Sequence, residues 1–150
     1  MGFFRRAIRR ISSGGETSRE EERASSRLAG LSEEEFERIG TEEDPLRGYE
    51  EAVERNFQAM EAESRGDVER AIRLYEQNVA ERFVESHPYE RLAMIYERRG
   101  RYAEALRVTE SFIELARSGT MPRGAQRSAD RRIESFEERA GRYRRRLGSG

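Results

Sequence analysis

At 150 residues the chain has the length of one domain with additions, and its 39% charged and 35% hydrophobic residues leave too little apolar material for a large spherical core. It has no cysteine, which excludes disulfides, thiolate zinc sites and cysteine nucleophiles and points to an intracellular, cytoplasmic location; no apolar run reaches the ~18 residues needed to span a membrane. The net charge of −1 is unevenly placed: residues 1–15 carry four Arg and no acid, residues 16–116 carry 15 Arg against 26 acids, and residues 117–150 carry ten Arg against four acids.

All 29 basic residues are arginine, a bias that GC-rich coding explains. Without lysine there is no Schiff-base or phosphate-loop chemistry, while every salt bridge has access to bidentate geometry. The first residues lack the apolar core and cleavage site of a secretory signal, and Arg6 breaks the myristoylation pattern that Gly2 would begin.

In chain order, residues 1–11 form a basic amphipathic pattern. On a helical wheel Phe3, Phe4, Ala7, Ile8 and Ile11 gather on one side, with Arg5, Arg6, Arg9 and Arg10 on the other. Such a segment suits an anionic membrane surface or a partner groove. It is too short to stay helical alone in water, and folding back onto the rest of the chain is the competing reading. Residues 12–30 have Leu28 as their only large apolar side chain, so residues 1–43 are expected to be a flexible N-terminal arm. Within it, Ser32 and Glu35 make a capping box, Leu31 and Phe36 a hydrophobic staple, and Gly40 a stop.

Residues 44–147 read as the helical domain. Asp44-Pro45 opens a helix with the stripe Tyr49, Val53, Phe57 and Met60. Gly66-Asp67 ends it and caps a second helix, striped by Ile72, Tyr75, Val79 and Phe83. Ser86-His87-Pro88 starts a third with Tyr89, Leu92, Ala93 and Tyr96. Gly100 precedes a fourth with Tyr102, Ala105, Leu106, Phe112 and Ile113. After a loop predicted over Ser118 to Arg127, the seam Ile133, Phe136, Ala140, Tyr143 and Leu147 marks an arginine-rich capping helix at about 127–147.

A shift of 34 residues superposes Gly66 on Gly100, Ala59 on Ala93, Glu63 on Glu97, Val68 on Tyr102, Ala71 on Ala105, Ile72 on Leu106 and Arg73 on Arg107. With that period and those small residues, the chain resembles the tetratricopeptide repeat family, with repeats over 52–85 and 86–119. Ala59 and Ala93 match its small eighth position and Ala71 and Ala105 its small twentieth, while Leu92, Tyr96 and Tyr75 match its large apolar positions. Ala62 and Thr109 stand where aromatics are usual, and neither repeat has the late proline. The resemblance implies an all-α, α-α superhelix of two helical hairpins, closed by the C-terminal cap. Leu31, Phe36 and Ile39 are candidates to shield its other end; a homo-oligomer is the alternative if shielding is incomplete.

The resemblance also implies a scaffold or adaptor that binds a protein, peptide or helical segment in a groove. The matching positions are Val53, Asn56, Met60, Glu63 and Ser64 on one helix and His87, Glu90, Met94, Glu97 and Arg98 on the other. Flexible apolar groups among acids suit a basic or amphipathic segment, unless the methionines simply pack and the acids are solvated. Family members that grip a C-terminal carboxylate use a basic and asparagine cluster, which Asn56 alone does not supply.

No enzymatic activity, metal or cofactor is expected. His87, the only histidine, reads as a turn residue; there is no second histidine for a zinc site, no nucleophile triad and no glycine-rich nucleotide loop. Carboxylate pairs such as Glu137-Glu138 lie on polar faces without the apolar surroundings that raise a catalytic pKa. Arg127, Arg131, Arg142, Arg144, Arg145 and Arg146 offer phosphate contacts, the basis of an alternative reading as a peripheral membrane or nucleic-acid-associated factor. The acidic centre and the lone candidate for base stacking, Tyr143, argue against nucleic acid, and pairing of these arginines with acidic surfaces of the repeats is preferred.

Overall fold

The computed structural model describes residues 32–38 and 48–149. The amphipathic segment 1–11, the segment 12–30 and the Asp44-Pro45 helix start lie outside the described residues, as do Leu31, Ile39 and Gly40. All regular structure among the described residues is helical: α1 (Glu33–Glu37), α2 (Tyr49–Ser64), α3 (Val68–Ala80), α4 (His87–Arg98), α5 (Tyr102–Arg117) and α6 (Arg123–Gly148).

The capping chemistry sets the helix boundaries. Ser32 and Glu35 exchange the two bonds of a capping box, at 3.3 and 3.2 Å. Gly48 enters α2 with φ 74°, so that helix starts at Tyr49. Gly66 and Gly100, with φ 81° and 70°, close α2 and α4 in the same way. Asp67 N–H donates to Ala62 at 2.8 Å and Arg101 N–H to Tyr96 at 2.8 Å, while Gly66 and Gly100 donate to Glu63 and Glu97. These are Schellman closures in which glycine takes the left-handed position without steric cost. Asp67 then caps α3 by accepting from Arg70 N–H at 3.3 Å.

The helices pack consecutively, α2 on α3, α3 on α4, α4 on α5 and α5 on α6. Longer-range bonds sort them into two layers. Asn56–His87 and Glu63–Arg91 join α2 to α4, and Glu97–Tyr143 joins α4 to α6. On the other side Glu76–Arg107 joins α3 to α5. The result is an all-α, repeat-like stack of helical hairpins. Ala59, Ala71, Ala93 and Ala105 are fully buried at the crossings, where a side chain no larger than a methyl lets backbones approach. Tyr89, Phe112 and Phe136 run through the stack, with ring centroids 5.1 Å and 4.5 Å apart. Burying a Phe is worth about 1.5–3 kcal/mol, and ring pairing adds ~0.5–1.5 kcal/mol.

Three sequence expectations need correction. The loop ends at Pro122, so Gly124 and Arg127 already belong to α6, which begins at Arg123 rather than near 127. Buried Ala125 and Ala129 extend its packing seam toward the N-terminus. At the other end Leu147 is 46% exposed and adds nothing to that seam. Finally, Glu35 of α1 accepts from Arg123 N–H at 3.0 Å, placing α1 at the start of α6, by the C-terminal cap.

Candidate interaction face

On α2 the buried alanines lie on one side and Val53, Phe57 and Met60 on another. The stripe steps by four and three residues, so the helix period holds it together on one flank. Phe57 is 38% and Met60 40% exposed, and Val53 is half-buried. A continuous apolar stripe open to solvent is the feature by which interaction surfaces stand out. Beside it a cleft of about 570 Å³ opens between α2, the start of α4 and the first turns of α6. Tyr49, Asn56, Phe57, His87, Ala125 and Arg132 are among its lining residues.

The ten groove positions named from the sequence divide into three groups. Val53, Met60 and Ser64 lie along the accessible flank of α2. Asn56 and His87 meet across α2 and α4, Oδ1 to Nδ1 at 3.3 Å, at the floor of the cleft. Burial, and secondarily the Arg91 charge, pushes the His87 imidazolium below its ordinary pKa, against the pull of Glu90 and Glu63. The remaining positions are engaged within the stack, apart from exposed Arg98 at the end of α4.

Glu63 accepts from Tyr75 Oη at 3.0 Å and from Arg91 Nε at 3.1 Å, and also pairs with Arg91 Nη2. Burial pushes its carboxyl up, but the Arg91 and Tyr75 bonds outweigh that and hold it below the usual carboxylate range. Met94 Sδ receives Arg91 Nη1 at 3.8 Å. Glu90 faces Arg132 at 3.5 Å and Arg139 at 3.7 Å. Glu97 accepts from Tyr143 Oη at 2.7 Å and Arg142 Nη2 at 3.0 Å. The Tyr143 bond is the main cause that lowers its pKa, with Arg142 adding to it. Three acids that the sequence offered to a ligand are therefore already met by arginines of α4 and α6.

The same pairings occupy much of the basic C-terminal helix. Arg142 and Arg144 pair with Glu97 and Glu110, and Arg146 sits 4.8 Å over the Tyr102 ring while donating to its hydroxyl at 2.7 Å. Tyr143 is fully buried and presents no ring face to a base. Among the described residues no cluster of His, Cys, Asp or Glu could hold a metal, and no helix is long and apolar enough to cross a membrane. The Phe and Arg residues of segment 1–11 lie outside the described residues.

Sequence reasoning placed Phe57 in the hydrophobic stripe of α2 and named Val53 and Met60 as groove positions, but left Phe57 out of the groove. The run of Ala52, Ala59 and Ala62 was the available signal that small residues face inward. Arg91 and Arg132 carried no such signal, since one arginine among 29 looks like another. No protein-family model, curated protein or solved structure matches this chain at a significant level.

Proposed function

We propose that this protein is a cytoplasmic, tetratricopeptide-like interaction scaffold without enzymatic activity, which binds a peptide or helical segment of a protein partner. The face in question is the Val53–Phe57–Met60 flank of α2 together with the adjoining cleft. The supporting observation is the outward placement of Phe57 and Met60, 38% and 40% exposed, on a helix that packs inward through alanines. An amphipathic segment laying its apolar side on that stripe buries both residues, and side chains at helical spacing enter the cleft. Asn56 and His87 line the cleft beside it. With Glu63, Glu90 and Glu97 committed to internal partners, apolar complementarity rather than acidity sets the affinity.

Cross-linked affinity capture of the full chain, quantified against Phe57→Glu, Met60→Glu and the control Arg131→Ala, tests this. Partners lost with both α2 variants and retained with the control are expected. Recovery of the same proteins by all four chains would overturn the reading. The alternative, a membrane-surface or nucleic-acid factor working through the arginine-rich ends, draws less support, because Arg142, Arg144 and Arg146 are paired and Tyr143 is buried.

A further inference from the structure

We propose that the cleft beside α2 receives the indole ring of a tryptophan from the partner segment, with His87 Nε2 accepting a hydrogen bond from the indole N–H. The inference rests on the scaffold reading for its partner and adds the side chain that the cleft selects. Three residues fix the imidazole. Asn56 Nδ2 donates to Met60 Sδ at 3.9 Å, one turn along α2, which leaves Asn56 Oδ1 to face His87 Nδ1 at 3.3 Å. A carboxamide oxygen only accepts, so Nδ1 is the nitrogen that carries the ring proton. His87 Nε2 keeps its lone pair, has no hydrogen-bond partner among the described residues and is not sealed from solvent. Burial, then Arg91 and more weakly Arg132, lower the imidazolium pKa against Glu90 and Glu63, so the ring is uncharged at neutral pH.

The rest of the lining narrows the occupant. Phe57, Val84, Phe112, Ala125 and Ala129 give the cleft an apolar, partly aromatic wall. Glu85, another acceptor in the lining, is bonded to Tyr49. A flat apolar group with one donor therefore matches the site. Aliphatic and phenylalanine side chains have no donor, while hydroxyls and amides bring acceptors of their own; indole only donates. Lysine and arginine are donors too, but Arg91 and Arg132 repel their charge. Arg132 also lines the cleft, its side chain 57% exposed, and cations favour the face of an indole over those of other rings. This chain contains no tryptophan, so the indole comes from another molecule.

Free indole and N-methylindole test this, because the two rings are alike and only the first has an N–H. Titrated at neutral pH into the isotope-labelled full chain, indole should move the amide signals of Phe57, His87, Ala125 and Ala129 saturably. N-methylindole should bind about tenfold more weakly, the factor that one net hydrogen bond is worth. His87→Phe, checked by circular dichroism for unchanged helix content, should bind both equally. A long-range proton–nitrogen spectrum of the parent should place the His87 proton on Nδ1, and Asn56→Ala should move it toward Nε2. Equal binding of the two indoles by the parent, shifts confined to other surfaces, or a parent ring protonated on Nε2 would each overturn the proposal. Partner capture repeated with His87→Phe separates this inference from the scaffold reading. Partners that it retains in full, or whose bound segment has no tryptophan, overturn the assignment of the occupant. No partner with any chain sinks the scaffold reading, while indole discrimination, which needs no partner, still upholds His87 as the acceptor.

Discussion

Tyr143 Oη, from α6, donates to Glu97 Oε1 at 2.7 Å, repeating what Tyr75 Oη does for Glu63 at 3.0 Å one layer earlier. The two glutamates are 34 residues apart, but the position 34 beyond Tyr75 is Thr109, whose hydroxyl turns back to Ala105 C=O at 2.8 Å. The second hairpin thus lacks its own phenol and takes one from the capping helix. Each glutamate is also bonded to an arginine, Arg91 or Arg142.

Tyr143→Phe should therefore cost about 1.5–3 kcal/mol, the range for a hydrogen bond to a charged group. Glu97→Gln should cost less in the Tyr143→Phe background than in the parent, because both changes remove the same bond. Urea denaturation of the two single variants and the double variant measures this coupling. Strict additivity would show that the phenol and the carboxylate do not act together.

The same carboxylates set an acid limit. Glu63 and Glu97 are held below the usual carboxylate range, so the folded chain binds fewer protons there than the unfolded chain. Their contribution is fully present above the unfolded value of ~4.3 and is lost as pH falls through the folded values. His87 shifts the same way from a higher start: its folded pKa is lowered, so the unfolded chain binds the extra proton and stability falls as pH drops below ~6.5. His87→Gln should flatten the first decline, and Glu63→Gln/Glu97→Gln part of the second. Thermal melts from pH 8 to pH 3 distinguish the two windows. A parent chain whose melting temperature does not change from pH 7 to pH 5 would contradict the His87 assignment.

A backbone prediction concerns Arg82, which closes α3 at φ 57° with Arg82 N–H donating to Val79 and Phe83 N–H to Asn78. This is the closure that glycine makes after α2 and α4, here with a side chain that disfavours the left-handed region by ~1–2 kcal/mol. Arg82→Gly relieves that cost but adds freedom to the unfolded chain, leaving a net gain of roughly 0.5–1 kcal/mol. A lowered denaturation midpoint would show that Arg82 contributes something its conformation does not reveal.

Much of this was legible because local rules and the global fold agree. The 34-residue offset of Gly66 and Gly100 located two equivalent turns, and the paired alanines located the crossings. Ser32 with Glu35 predicted a cap that formed as written. What the pattern hid were decisions made between helices. Periodicity shows that Val53, Phe57 and Met60 share a flank, but not that the alanine flank is the one turned inward. Gly124 suggested loop, yet packing of Ala125 and Ala129 outweighs its low helix propensity of ~1 kcal/mol. The fate of Glu90 and Glu97 depended on where a helix some 40 residues later would lie, beyond the reach of local pattern.

The capping helix offers a contrast between two apolar residues that look equivalent in the sequence. Phe136 and Leu147 both belong to the period of α6, but Phe136 is buried with its ring 4.5 Å from Phe112, whereas Leu147 is 46% exposed. Phe136→Ala should cost about 3–5 kcal/mol through lost burial and the cavity left against Phe112. Against a typical total stability of ~5–15 kcal/mol, that is enough to loosen the cap or unfold the chain at moderate temperature. Leu147→Ser should change stability by no more than about 0.5 kcal/mol. The loss in Phe136→Ala should also expose Phe112, Ile113 and Ala140, raising binding of a hydrophobic dye. Comparable effects of the two substitutions would mean that α6 does not dock along its seam from Ala125 to Tyr143. Glu97–Tyr143 and Glu90–Arg132 would then fail with it, since both bonds depend on that docking.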